Sequence, residues 1–211
     1  AAKGWRCRER EGGITVDTEA ARWQVRGLRL DLSQSLEQLD SAAFDAVTTT
    51  AFLDLVSADW LDRLCRVLAH GSLPLLATLT VDGGREWNPP LPLDGHVLDA
   101  FWQHQSGDKG FGPSLGNHAS AYLVDALGAC GYAVNTARSD WHIGPEHRAM
   151  LRRMVDEAAT VAGETAPDSA GWQAERVAHI ESSRLSLKIG HLDLLALPPK
   201  NRVSAQTPSR Y

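Results

Sequence analysis

Three short runs of alternating polar and apolar residues open the chain: Trp5 to Arg10, Ile14 to Thr18 and Arg22 to Leu32. They are parted by Gly12-Gly13 and by Glu19-Ala20-Ala21. A period of two turns one side of each run toward apolar neighbours, so the pattern predicts a strand meander. A short amphipathic turn around Leu36 and Leu39 follows, then Phe44 to Thr50, a run rich in β-branched residues that reads as a strand. From Asp59 to Ala69 the apolar positions are Trp60, Leu61, Leu64, Cys65 and Leu68. That is the 3.6-residue stripe of a helix, with an acid in its first turn and Gly71 past its end. Leu73 to Val81 is almost unbroken apolar and β-branched, the pattern of a strand covered on both faces in a parallel sheet. Phe44–Thr50, the helix and Leu73–Val81 together predict a β-α-β unit.

Beyond it the period changes repeatedly. Asp82 to Leu93 carries Gly83-Gly84 and three prolines (Pro89, Pro90, Pro92), which predicts an irregular loop. Asp94 is placed to cap a helix bearing Val97, Leu98, Phe101 and Trp102. Asn117 is placed to cap another, running through Leu123 and Leu127 to Cys130 and closed by Gly131. Tyr132 to Thr136 reads as a strand, and Pro145 suits the first position of a helix that runs to about Ala162. Asp168 or Ser169 starts a further helix with Trp172, Val177 and Ile180, and Leu187 to Leu197 is a final strand. The order predicts an α/β sandwich with a mostly parallel sheet and an antiparallel edge strand. It predicts one domain over 1–198, with a helical pair at 145–183 inserted between the last two strands and a polar tail at 199–211.

Composition narrows the function classes. Of 211 residues 43% are hydrophobic and 22% charged, enough apolar material for a core and too little charge for disorder. Twenty-one Lys and Arg against 26 Asp and Glu leave a net charge of −5, a poor match for nucleic-acid phosphate or anionic lipid. No run approaches the length of a membrane span, so no membrane partner is expected. Cys7, Cys65 and Cys130 are odd in number and widely spaced, which reads as reduced thiols in a cytoplasmic protein. The chain opens on Ala1 rather than methionine, so the expectation is a processed chain or a piece of a longer one.

Candidate chemistry concentrates in a few segments. Gly107 to Gly116 (GDKGFGPSLG) nearly spells a dinucleotide fingerprint, but a helix rather than a strand leads into it. It reads instead as a loop over a cleft. His142 and His147, five apart across Gly144-Pro145, lack the convergent spacing of a metal site, and no G-x-S-x-G is present. Phe101 and Trp102 read as sheet packing, whereas Trp87, Phe111 and Trp141 fall in loops or at a strand end, where substrate contact rivals packing. Asp31 and Asp54 follow predicted strands, the position where open α/β sheets bind ligands, although on spacing alone helix capping is the more common use for either.

The stretch Phe44-Asp45-Ala46-Val47-Thr48-Thr49-Thr50-Ala51-Phe52-Leu53-Asp54-Leu55-Val56-Ser57 resembles the fourth strand and following loop of class I S-adenosylmethionine-dependent methyltransferases. Trp60-Leu61 and Leu73–Val81 continue the likeness. Asp108-Lys109-Gly110-Phe111-Gly112-Pro113 and Gly190-His191-x-Asp193-Leu194-Leu195-Ala196 resemble a bacterial branch of the family. The resemblance spans roughly Arg22 to Pro198 and implies a three-layer Rossmann-like sandwich, S-adenosylmethionine as methyl donor and a small-molecule acceptor. It implies adenine contact at Asp31 and Leu32, and a donor wall at Thr49, Thr50, Ala51, Phe52, Leu53 and Asp54. It places acceptor recognition near Lys109, Phe111 and Trp141, with His142 as candidate base. The family's glycine-rich loop and ribose-binding acid have no counterpart in this chain. The N-terminal strands are therefore expected to be incomplete, and the chain alone is expected to bind the donor weakly or not at all. Two alternatives stand beside this reading: a non-catalytic Rossmann-like module binding a protein partner, and another nucleotide-dependent α/β enzyme using the Gly107–Gly116 loop. The helical pair could serve as a homodimer face, a cap on the acceptor site or simple cover for the sheet.

Overall fold

The computed structural model describes residues 4–10, 12–164 and 169–200. The Asp168 alternative for a helix cap, and the tail from 201 onward, lie outside them. The chain divides into two compact units, Ala1–Leu36 and Glu37–Tyr211.

In the first unit β1 (Arg6–Arg10), β2 (Gly13–Asp17) and β3 (Arg22–Arg26) form an antiparallel sheet in that order, as the alternating runs predict. Side chains alternate faces along a strand, so the register Cys7↔Val16↔Trp23 and Ile14↔Val25 gathers the apolar residues on one face. On the other face Asp17 takes an ion pair from Arg22 at 2.6 Å and a second from Arg8. A Cβ on Gly13 would overlap the Val25 carbonyl, so glycine is required at this close approach. The third strand is shorter than its sequence pattern, ending at Arg26 rather than Leu32.

The second unit is mixed α/β around a five-stranded mixed sheet. Its β-α-β unit is β4 (Val47–Thr50), α1 (Ala58–Gly71) and β5 (Leu75–Asn88), with β4 and β5 parallel. Ser57 caps α1 by accepting the Trp60 N–H at 3.2 Å, and the chain leaves the helix through Ser72 in the left-handed region. Then come α2 (Asp94–Gln105), α3 (Ala119–Ala129), β6 (Ala133–Arg138), β7 (Trp141–Ile143), α4 (Arg148–Gly163), α5 (Ser169–Glu181) and β8 (Ser186–Leu197). The strand order is β4-β5-β8-β6, with β7 also on β8. Because β8 is antiparallel to β5, β6 and β7, those strands and β4 all run one way and β8 alone runs against them. The mostly parallel sheet expected is corrected to a mixed one, in which only the β4–β5 pairing is parallel, and the expected antiparallel strand is present but corrected in position. It lies inside the sheet, hydrogen-bonded on both sides, rather than at an edge.

A second correction concerns Asp82–Leu93. Only its end is irregular, because β5 continues to Asn88 alongside β8. The glycines that read as loop serve a register shift between Val81 and Arg85, where the Asp82 carboxylate occupies the space a Cβ on Gly190 would need. Trp87, expected in a loop, is buried in this extension.

Two layers of apolar packing hold the unit. Leu123 and Leu127 of α3, which packs on β5 and β8, join Leu61, Leu64 and Leu68 of α1 above Leu75, Ala77, Leu194 and Ala196. The β5–β8–β7 extension is covered by α2, α4 and α5 in a cluster that includes Trp87, Val97, Ile143, Leu151, Trp172 and Leu187. Asp94 does not cap α2 from its N-cap position; it is the helix's first residue. Its carboxylate accepts the Leu91 N–H and Trp172 Nε1–H, each at 2.8 Å, and an ion pair from the fully buried Arg176. Asn117 likewise lies in a short 3-10 turn ahead of α3 and makes no side-chain cap.

Candidate functional site

The polar and strained residues of the second unit gather where β4 reaches its carboxyl end, beside an irregular register inside β5. Thr50 and Thr78, paired across the two strands, share a hydroxyl–hydroxyl hydrogen bond of 2.8 Å. Immediately after each, the backbone enters the left-handed region at a non-glycine residue, Ala51 with φ 51° and Leu79 with φ 53°. Such conformations cost about 1–3 kcal/mol and persist where surrounding contacts over-determine them. Here Asp193 of β8 supplies the hold, its Oδ1 accepting the Leu79 N–H at 3.0 Å and the Ser139 hydroxyl at 2.7 Å.

Asp54 follows β4 in a 3-10 turn and is buried. Burial pushes its carboxyl above the usual range, opposed by its own backbone N–H and by the charge of His191. His191, only 5% exposed, stands opposite Val81 on β8. Its Nδ1 lies 3.1 Å from the Ile189 carbonyl oxygen and its ring centroid 5.0 Å from that of Trp141. Its backbone N–H donates to Asp140 at 3.2 Å. An ion ladder frames the group: Arg138 pairs with Asp82 at 2.7 Å and with Asp140 at 3.4 Å, and Lys188 reaches Asp140 at 3.4 Å.

The glycine-rich loop is tied to the body of the unit. Asp108 Oδ1 accepts the N–H groups of Gly110 at 2.7 Å and Gly112 at 3.0 Å, and Leu115 N–H donates to the Val56 carbonyl at 2.9 Å. Phe111 packs edge-on against Phe52 at 5.3 Å and Trp60 at 6.0 Å between ring centroids, so its ring belongs to an aromatic trio beside the β4 end. Lys109 is exposed, and its Nζ donates to the His104 carbonyl at 3.2 Å.

The structure thus brings together Thr49, Thr50, Ala51, Phe52 and Asp54 with Phe111, and Trp141 with His191. His142 is exposed on β7 opposite Lys188 and lines a separate cavity of about 870 Å³ beside Glu86, Trp87 and Glu146. Asp31 and Leu32 belong to the first unit. The Asp31 carboxylate accepts the Ser33 hydroxyl at 2.6 Å and the Ser33 N–H at 2.9 Å, which hold it below the usual carboxylate range. That is the local capping use which spacing left open.

Sequence reasoning assigned no role to His191, although Gly190-His191-x-Asp193 stood out as a motif. Each member now has a task, as Gly190 clears space for Asp82 and Asp193 holds Leu79. Among the described residues no group of three or more His, Cys, Asp and Glu side chains converges to hold a metal ion, and no helix is long and apolar enough to cross a membrane. No protein-family model matches the chain, and no curated protein matches it.

Proposed function

We propose that this chain belongs to a Rossmann-like methyltransferase that moves a methyl group from S-adenosylmethionine to a small molecule in the cytoplasm. The observation that carries the reading is the crowding of Thr50, Ala51 and Asp54 at the carboxyl end of β4 in a parallel β4-α1-β5 unit, with Thr78 and Leu79 of β5 alongside. Open α/β sheets bind their ligands outside the carboxyl ends of the strands. The resemblance carried by Phe44–Ser57 assigns that same segment to the donor.

The residues present fit part of such a donor. The exposed Thr50, with the hydroxyl of Thr78, offers a donor–acceptor pair for the charged methionine end, and the half-buried Phe52 offers an apolar wall. Thr49, Thr50, Ala51, Phe52 and Asp54 would flank that group. When bound, it supplies an electrophilic methyl on a sulfonium. The protein's contribution is then alignment and exclusion of water. The Phe52–Trp60–Phe111 trio keeps one side of the β4 end apolar, which favours a spreading charge over a localised one. The small net negative charge suits a small acceptor better than a polyanion. The test is calorimetric titration of S-adenosylhomocysteine into the protein expressed from its complete reading frame, with micromolar binding expected.

A further inference from the structure

We propose that the arginine-bearing side of the β1–β3 sheet docks into the major groove of duplex DNA. This docking is independent of methyl transfer and uses none of the residues assigned to the donor. The register puts Arg6, Asp17 and Arg22 on one row, Arg8, Thr15 and Gln24 on the next, and Gly13 and Arg26 on a third, all on the same side of the sheet. Arg6, Arg8, Arg22 and Arg26 are exposed, and Asp17 is the one acid on this side among the described strand residues. It is already shared between Arg8 and Arg22, whereas Arg6 and Arg26 enter no ion pair among the described residues. Two clefts open between these side chains. One of about 370 Å³ is lined in part by Arg8, Thr15, Arg22, Gln24 and Arg26, and one of about 590 Å³ by Arg6, Arg8, Asp17 and Arg22.

The charge of the whole chain conceals this side. Residues 1–36 hold seven Lys and Arg against five Asp and Glu, and residues 37–211 hold fourteen against twenty-one. In physiological salt, exposed charges more than about 8 Å apart are largely screened from one another. The side turned toward a partner therefore decides docking, rather than the total of −5. Here Arg6, Arg8, Arg22 and Arg26 against Asp17 leave three positive charges in excess.

The shape of that side selects the partner. Trp23 stands on the opposite side with Cys7, Val16, Ile14 and Val25, so the arginine side carries no aromatic ring on which an unpaired base could stack. Neighbouring strands lie about 4.8 Å apart, so β1 and β3 are separated by about 10 Å and fit a major groove about 12 Å wide. The deep, narrow major groove of A-form RNA does not admit them. Arg22 and Arg26 stand about 14 Å apart along β3, a reach that meets several phosphates of a strand in which they recur every 3.4 Å or about that along the axis. Gln24 lies midway between them on the same side. Glutamine and arginine are the side chains whose paired hydrogen-bonding groups match the major-groove edges of adenine and guanine.

Fluorescence anisotropy of a labelled DNA duplex of about 20 base pairs, titrated with the chain in about 50 mM salt, tests the docking directly. Micromolar affinity is expected, with the logarithm of the binding constant falling against the logarithm of salt at a slope of about −3. Arg6→Ser combined with Arg26→Ser breaks no ion pair; it should weaken binding about tenfold or more and flatten the slope by about 2. Asp17→Asn should tighten binding about twofold or more, a gain that a misfolded sheet would not give. Arg152→Ser combined with Arg153→Ser, which removes exposed arginines of α4, should leave affinity within about twofold. No binding at about 100 μM protein, equal losses in the sheet and α4 variants, or affinity in Asp17→Asn that is unchanged or weaker overturns the proposal. So does a single strand or an RNA duplex of the same sequence that binds as tightly as the DNA duplex, or a preference for phosphatidylserine vesicles over it.

Discussion

Replacing Asp94 by alanine should damage the second unit more than any surface change, because of what Asp94 neutralises. Arg176 has no solvent exposure, and its charge is balanced by Asp94 alone among the ion pairs of the described residues. The same carboxylate receives the Trp172 indole N–H and the Leu91 N–H, so the substitution strands three donors. Removing one partner of a buried pair costs about 3–5 kcal/mol, since the remaining charge is left uncompensated. Arg176 keeps the Pro89 carbonyl at 2.5 Å and the faces of Trp87 and Trp172 at 5.3 and 5.5 Å. These favour the lower end, about 3 kcal/mol. That is a large share of the roughly 5–15 kcal/mol by which domains are stable. Urea unfolding at pH 7, followed by the fluorescence of the tryptophans in the cluster, reads the loss directly. Asp94→Leu combined with Arg176→Met removes both charges and should be less destabilised than Asp94→Ala. A single-variant loss below about 1 kcal/mol, or a double variant no better than the single, would refute the reasoning.

Two further outcomes follow from burial. Cys7 and Cys130 are exposed, whereas Cys65 is buried and its thiol pushed up to about 12; an Ellman titration should find two fast thiols in the native chain and the third only in denaturant. Asp54 has a folded-state pKa raised by burial, so its contribution to stability is fully present below the unfolded carboxylate range and lost as pH rises. Asp54→Asn should therefore raise the melting temperature at pH 7, with the advantage shrinking to nothing below about pH 4; an advantage unchanged by pH contradicts the sign.

Local pattern was enough for the β-α-β unit. The stripe Trp60, Leu61, Leu64, Cys65, Leu68 and the unbroken Leu73–Val81 give the expected helix and strand. Leu76 and its neighbour Leu195 are exposed, however, so the strand is not covered on both faces, and its second partner, β8, is antiparallel. The placement of β8 inside the sheet was not legible in the same way, because strand order is decided by pairing across a hundred residues of intervening chain. The same holds for Gly83-Gly84, whose local meaning is a turn and whose observed use is a register shift beside Gly190. Asp94 looked like a cap because spacing shows the helix start but not Arg176, which arrives from α5. At the site, Thr49 to Asp54 could be read from their place after a strand. His191 could not be read so, because Trp141 meets it only once β8 runs between β5 and β7.

The central claim is that the carboxyl end of β4, with Thr78 of the neighbouring β5, serves a sulfonium methyl donor. Calorimetric titration of S-adenosylhomocysteine into the protein from the complete reading frame should give one micromolar site, weakened at least tenfold by Thr50→Val together with Ala51→Trp. No measurable binding by the wild-type protein, or binding indifferent to those substitutions, would contradict it.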